Sequence, residues 1–299
     1  VTGIRLFVFG LGYSATAFVR EIRGRAASVA GTVRTQEKAE RLKADGIDAL
    51  VFDGSGPGDG VRAVLAEATH LLVSVAPGEA GDPVLAHHRA DIAAAPSLRW
   101  IGYLSTVGVY GDYGGAFVSE RTTPHPASER SRRRLAAEKA WAALAAAMEV
   151  PLAVFRIAGI YGPGRNALLN LAEGTAKRIV KPGQVFNRIH VADIAATLAV
   201  AVDRQAAGVF NLADDEPAPP EDVVAYAAAL MGVPAPPAVP LDEAELTSMA
   251  RSFYGDNKRV SNRKIREDLG VTLRYPTYRE GLSALWRDGS WRGTEASAA

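Results

Sequence analysis

A short apolar run over Ile4–Phe9 breaks at Gly10-Leu11-Gly12-Tyr13-Ser14-Ala15 and passes at once into an amphipathic stretch over residues 15–22. This junction constrains the fold more than any other feature, because glycine lets the chain turn tightly from a buried strand into a helix. The alternation then repeats. Residues 28–33 read as a strand, 37–43 as a helix, 49–52 as a strand, 61–68 as a helix and 70–75 as a strand. Residues 84–95 read as a helix, 99–105 as the fifth strand, 129–148 as a long alanine-rich helix and 152–155 as a further strand. Strands alternating with helices predict an α/β fold, a parallel sheet with helices on both faces.

Composition narrows the partners. With 299 residues and 48% apolar content the chain can bury a full core. Its 34 basic and 33 acidic residues leave a net charge of +1, so no global field draws it to nucleic acid or anionic lipid. The expected partner is a small molecule, with the chain a monomer or homodimer. The absence of cysteine removes disulfides, thiolate metal sites and cysteine nucleophiles. The first apolar run has no basic leader and is too short for a signal peptide or a membrane span, which predicts a cytoplasmic protein. No fixed period recurs. Residues 217–240 read as a helix flanked by turns, and the small polar tail after Trp291 is expected to fray.

The glycine turn follows a predicted strand and opens a helix, the setting in which a GxGxx(G/A) string signals a dinucleotide. Gly10 permits the turn and Gly12 lets backbone approach a pyrophosphate, while amides near Tyr13, Ser14 and Ala15 face the phosphates at the helix N-terminus. A protein selecting NAD places an acid about 20 residues further on. Here that place reads Thr32-Val33-Arg34-Thr35. Arg34, with Thr35 and Lys38, instead suits a 2′-phosphate, so NADP is expected in preference to NAD.

Further strings accumulate in order. Asp53-Gly54 ends the third strand and Val75-Ala76-Pro77 the fourth. Ser105-Thr106-Val107-Gly108-Val109-Tyr110-Gly111 follows the fifth, and Arg156-Ile157-Ala158-Gly159-Ile160-Tyr161-Gly162-Pro163-Gly164 comes later. Ile189-His190-Val191-Ala192-Asp193, Val209-Phe210-Asn211-Leu212 and Tyr275-Pro276-Thr277-Tyr278-Arg279-Glu280-Gly281 complete the series. Together they resemble the extended short-chain dehydrogenase/reductases, the NAD-dependent epimerase/dehydratase family. That resemblance implies a Rossmann-type sheet with a smaller C-terminal substrate lobe. It places Asp53, Gly54, Val75, Ala76, Pro77 and Ile157 at the cofactor, and Tyr110, Arg165, Asn166, Arg188 and His190 at the substrate. Ile157 stands where the family usually has proline.

The resemblance also exposes a departure. Family members use a Ser or Thr to polarise the substrate oxygen, a Tyr to move the proton, and a Lys four residues later. Thr106 matches the first. In the helix that carries the other two, Arg130 stands for tyrosine and Arg134 for lysine, as in an atypical member of the family. A guanidinium stays protonated above pH ~12 and moves no proton at neutrality. At i and i+4 the two arginines share a helix face, which suits an anionic or charge-developing substrate. Tyr113, in a glycine-rich loop, and the motif tyrosines Tyr110 and Tyr161 are the nearby phenols. The pair His87-His88 lacks a carboxylate at metal-ligand spacing and reads as surface, so no metal is expected.

The expected organisation is an NADP-binding domain over residues 1–155, also receiving about 185–213, and a discontinuous lobe over 164–184 and 217–299. Two functions remain open at this point. One is an NADP-dependent oxidoreductase or epimerase acting on a small polar or anionic metabolite through Thr106, Arg130 and Arg134. The other is a non-catalytic NADP(H)-binding or redox-sensing protein. A dehydratase is disfavoured, because Val107-Gly108 stand where that subgroup places Asp-Glu.

Overall fold

A computed structural model describes residues 3–293; residues 1–2 and 294–299, which include most of the tail expected to fray, lie outside the described residues. The chain divides into two compact units.

The first unit runs up to Thr106 and adds Glu129–Arg156 and Ile194–Phe210. Its opening is the predicted alternation: β1 (Ile4–Phe9), α1 (Tyr13–Ile22), β2 (Ala26–Val33), α2 (Gln36–Ala44), β3 (Asp48–Val51), α3 (Val61–Ala66), β4 (His70–Val73), α4 (Pro83–Ala93) and β5 (Trp100–Thr106). After the insertion that carries β6 (Phe117–Val118), α5 (Glu129–Ala147) and β7 (Leu152–Ile157) follow, then β8 (Gly159–Tyr161). The seven-stranded sheet has the order β11-β7-β5-β4-β1-β2-β3, in which β11 is Gly208–Leu212. The pairs β1–β2, β1–β4, β2–β3 and β4–β5 are parallel. All four residues of β4 are buried, as expected of a strand covered on both faces. The strand order reverses at β1, and in such sheets ligands bind outside the carboxyl ends of the strands at that reversal. Gly10 follows β1 there.

Local chemistry sets the helices. Asp82 caps α4 by accepting from the amides of Val84 and Leu85, with Pro83 at the first helical position. Its second oxygen accepts the indole N–H of Trp141 at 2.9 Å, which ties α4 to α5. Phe7, Phe9, Phe52, Leu71, Val73, Tyr103 and Trp141 form the centre of the core.

The second unit comprises Val107–Ser128, Ile157–Asp193 and Asn211 onward. Short parallel pairs organise it: β8 with β10 (Arg188–His190), β9 (Arg178–Val180) with β12 (Ala238–Pro240), and β6 with β13 (Arg259–Val260). Its helices are α6 (Ala167–Ala172), the start of α7 (Val191–Asp203), α8 (Pro220–Met231), α9 (Ser248–Phe253), α10 (Arg263–Glu267) and α11 (Tyr278–Asp288). A core of Tyr161, Leu168, Val223, Ala227, Tyr278, Leu282, Leu285 and Trp291 holds α6, α8 and α11 together. Gly281 lets α11 lie against Tyr161, since a Cβ there would stand 2.1 Å from the phenol oxygen. The division differs from the expected one at residues 107–128, 185–193 and 211–213, which group with the second unit. The amides of Tyr113 and Gly115 donate to the Asn257 carbonyl, and the Asn257 amide donates to Asp112.

Among the described residues no helix is long and apolar enough to cross a membrane.

Candidate functional site

The two turn glycines have different reasons to be glycine. Gly10 has φ 88°, and a Cβ on it would come within 3.0 Å of the Val75 side chain. Gly12 has φ −89°, open to any residue, and a Cβ there would meet nothing within 4 Å. Neither backbone nor packing demands glycine at position 12. What remains is a space kept clear beside the start of α1, where no side chain caps the helix and no acid occupies its first turn. The side chains of Ser14 and Ala15 are buried. Thr32 holds the turn: its hydroxyl accepts from the Gly10 amide at 3.0 Å and its carbonyl from the Leu11 amide at 2.7 Å.

Beyond β2 lies a group of cations. Arg34 is exposed, Lys38 is half-buried, and Thr35 caps α2 by accepting from the Lys38 amide. Burial, then the charges of Arg41 and Arg34, hold the Lys38 ammonium below its usual pKa. Three like charges therefore sit close together, a placement that an anion relieves. Asp53 is exposed, and the amide and hydroxyl of Ser55 donate to its Oδ1 at 2.8 and 2.7 Å, which keeps its pKa low. A cavity of about 380 Å³ opens beside it, with Gln36, Phe52 and Asp53 in its lining. At the end of β4, Val75 and Pro77 are half-buried and Ala76 is exposed.

One sequence expectation here is corrected. His88 is not on the surface: it is fully buried against Phe9 and Phe52, with Nδ1 3.0 Å from the Asp91 carboxylate. His87 is half-buried, its Nε2 3.1 Å from the Gly54 carbonyl.

The two arginines of α5 also part company. Arg134 is half-buried; its Nη1 donates to the Leu104 carbonyl at 2.8 Å and to the Tyr103 hydroxyl at 3.2 Å. Its charge is thereby anchored at the end of β5, two residues from half-buried Thr106. Arg130 is exposed. Of their neighbours, Arg132 and Arg133 both pair with Glu129. Burial pushes the Tyr103 phenol up to about 12, against the opposing pull of Arg134, so it retains its proton. One turn further along α5, Glu138 accepts from Arg156 through both oxygens, the shortest contact being 2.7 Å, and from the Ser105 hydroxyl.

In the second unit the candidate phenols are committed. Tyr110 donates to the Asn211 side chain at 2.7 Å, Tyr113 to the Thr123 carbonyl, and Tyr161 to the Thr277 carbonyl at 3.3 Å. Burial raises the Tyr161 pKa well above that of a free phenol. Asn166 caps α6 with its oxygen, and its nitrogen donates to the carbonyls of Gly162 and Trp291, so its amide is engaged at both ends. Arg165 is exposed and Ile157 is buried. His190 Nδ1 accepts the Ala192 amide at 3.1 Å, which puts the proton of the neutral ring on Nε2, and the ring packs against those of Tyr161 and Tyr275. Burial, then Arg274, lowers its pKa to about 4. Arg188 donates to the carbonyls of Phe186 and Ala218. Sequence reasoning missed Thr32, whose signal was a polar residue in an apolar strand.

Comparison with known proteins adds to this geometry. The sequence model of the NAD dependent epimerase/dehydratase family matches residues 90–213. The chain is 27% identical over 152 residues to the 3-diazoavenalumate denitrifying reductase of a Streptomyces species; the match covers 46% of this chain and 48% of that protein, so it spans about half the length of this relative. A functionally unknown conserved protein from Silicibacter pomeroyi DSS is 49% identical, with 96% of this chain and 99% of that one covered and a TM-score of 0.86. The UDP-glucuronic acid 4-epimerase from Bacillus cereus, solved in complex with NAD, shares the fold at 16% identity, with a TM-score of 0.75 and coverage of 95% and 98%. The glycine turn and the sheet order agree with that match: over residues 90–213 the chain resembles the NAD dependent epimerase/dehydratase family, and its fold is the one that solved epimerases share.

Proposed function

We propose that this chain is an NADP-dependent oxidoreductase or epimerase that acts on a small polar or anionic metabolite. The observation that carries the reading is Gly12, a glycine that its own backbone and packing do not require, set at the strand end where such sheets bind ligands. The residues there fit a dinucleotide: an open turn for the pyrophosphate, Asp53 for the adenosine, and Arg34 with Lys38 for a 2′-phosphate.

NADP, when bound, supplies or accepts the hydride. Thr106, at the end of β5, offers its hydroxyl to the reacting oxygen. Arg134, anchored on the Leu104 carbonyl, contributes a fixed positive charge at the same strand end and exchanges no proton. Catalysis without the usual tyrosine therefore favours substrates that carry negative charge or develop it. By their names, the Streptomyces reductase acts on an acid, 3-diazoavenalumate, and the Bacillus cereus epimerase on UDP-glucuronic acid; both support an anionic substrate.

Titration calorimetry with both dinucleotides tests the cofactor. NADP is expected to bind about ten- to a hundredfold more tightly than NAD, the worth of one charge-assisted contact, and Arg34→Ala is expected to abolish the difference. Equal affinities in the wild type would overturn the preference for NADP. Gly12→Val is expected to keep its melting temperature and lose both dinucleotides; wild-type affinity in that variant would overturn the phosphate site. Turnover of neutral ketones is expected to be about 10²–10⁴-fold below that of a tyrosine-bearing member, because general acid catalysis is missing.

A further inference from the structure

The loop that follows β3 contains Gly54, Gly56, Gly58 and Gly60. Glycine loses more conformational freedom on ordering than any other residue, so such a loop keeps one shape only where something outside it imposes one. Here α4 does so. His87 Nε2 lies 3.1 Å from the Gly54 carbonyl, and because a carbonyl oxygen only accepts, Nε2 carries a proton and donates it. Gly54 has φ 89° and approaches α4 so closely that a Cβ on it would stand 3.1 Å from the Pro83 ring.

The helix that makes this contact is itself fixed. Asp82 caps its first turn and accepts the indole N–H of Trp141 on α5. His88, next to His87, is fully buried against Phe9 and Phe52, and its partner Asp91 also lies 3.3 Å from Arg62 Nε on α3. The His87 ring meets Phe52 edge to face, with the centroids 6.2 Å apart. Its donor therefore points from a helix that cannot readily turn.

What the bond directs is the neighbouring carboxylate. Asp53 follows β3 at its carboxyl end, where sheets of this kind bind ligands, and the Ser55 amide and hydroxyl both donate to its Oδ1. Asp53, Ser55 and Gly56 line the cavity beside β3, while Gly54, between them, gives its carbonyl to His87. One side of the loop thus serves the cavity and the other is bound to α4.

We infer that His87 is a positioning residue for the dinucleotide: by holding the Gly54 carbonyl it fixes the direction in which Asp53 offers its carboxylate to the adenosine half. The inference rests on the dinucleotide reading above. It concerns the half that NAD and NADP share, so it does not depend on which of the two is preferred.

Titration calorimetry on the full chain with NADP and with NAD tests it. His87→Leu keeps an apolar side chain against Phe52 and removes the donor. The variant is expected to melt with the wild type and to bind each dinucleotide about threefold to tenfold more weakly, the worth of one neutral hydrogen bond, with the ratio of the two affinities unchanged. His87→Gln carries an amide N–H in place of the ring N–H and is expected to restore affinity to within about twofold. In an Asp53→Ala background the His87→Leu change is expected to cost nothing further, since the group it positions is gone, whereas a loss from general damage to the fold would add to that of Asp53→Ala. If His87→Leu does not fold, His87→Ala carries the same comparison. Wild-type affinity in the His87 variant, a loss that His87→Gln does not restore, or an equal loss with and without Asp53 would overturn the inference and leave the dinucleotide reading standing. A wild type that binds neither NADP nor NAD would overturn both.

Discussion

Arg156 and Arg188 are both arginines within their units, and the protein treats them in opposite ways. Arg156 faces Glu138 through two nitrogens, the Ser105 hydroxyl donates to the same carboxylate, and both charged side chains are 6–7% exposed. That network is closed. Arg188 meets two backbone carbonyls, and the nearby Asp214, buried, leaves a carboxyl oxygen unpartnered. A charge neutralised by a buried partner holds a fold together, whereas a charge that rests on backbone carbonyls strands no partner when it is removed.

The largest expected effect breaks the closed network. Glu138→Ala leaves the Arg156 guanidinium buried without its counter-charge and is expected to destabilise the fold by about 3–5 kcal/mol. Urea denaturation measures it. A loss below about 1 kcal/mol would mean that Arg156 finds water or another partner, and the contrast with Arg188 would disappear.

The two networks were not equally legible in the sequence. Short-range patterns carried the fold: β1 spans the residues read from its apolar run, and the helices of the first unit match their periodicity to within a few residues. Gly10 and Gly12 were legible because a strand, a turn and a helix meet there within a few positions. Arg134 was legible as a departure, but its anchoring to Leu104 was not, since that depends on how α5 packs on β5. The burial of His88 had a signal that was not used: Val84, Leu85, His88 and Ile92 share one face of α4. Tyr278 stood in the string Tyr275–Gly281, but its place beside Arg188 had no signal, because 90 positions separate the two and only the tertiary fold brings them together. The placement of residues 107–128 likewise depends on Asn257, far along the chain.

A second effect, smaller per pH unit, sharpens the comparison through pH. A raised aspartate pKa means that the folded chain holds the proton more tightly than the unfolded one. The stability Asp214 contributes is therefore full below its ordinary value of 3.8 and is lost as pH rises toward about 8. The expected slope is about 1.4 kcal/mol per pH unit for one proton, levelling off above that range. Asp214→Asn is expected to remove this decline. His70 and His190, both lowered to about 4 by burial, act on the acid side: their contribution is present above 6.5 and lost as pH falls through 4. Urea denaturation across the pH range separates the two. A wild type and an Asp214→Asn variant with parallel profiles would show that Asp214 ionises freely.

The smallest expected effect is the one that discriminates best. Arg188→Met removes a desolvated charge and breaks no ion pair. The Ala218 carbonyl that it releases still accepts the Phe186 amide at 2.9 Å. The losses are two hydrogen bonds to neutral acceptors and a ring contact; the gain is relief from burying an unbalanced guanidinium, so the net change in stability is expected to stay within about 1 kcal/mol of zero. Arg156→Met, the same chemical change in the closed network, strands the buried Glu138 carboxylate and is expected to cost about 3–5 kcal/mol. Paired urea denaturations compare the two directly. Should Arg188→Met prove as damaging to the fold as Arg156→Met, the two arginines would be doing the same structural work, and the contrast between them would fail.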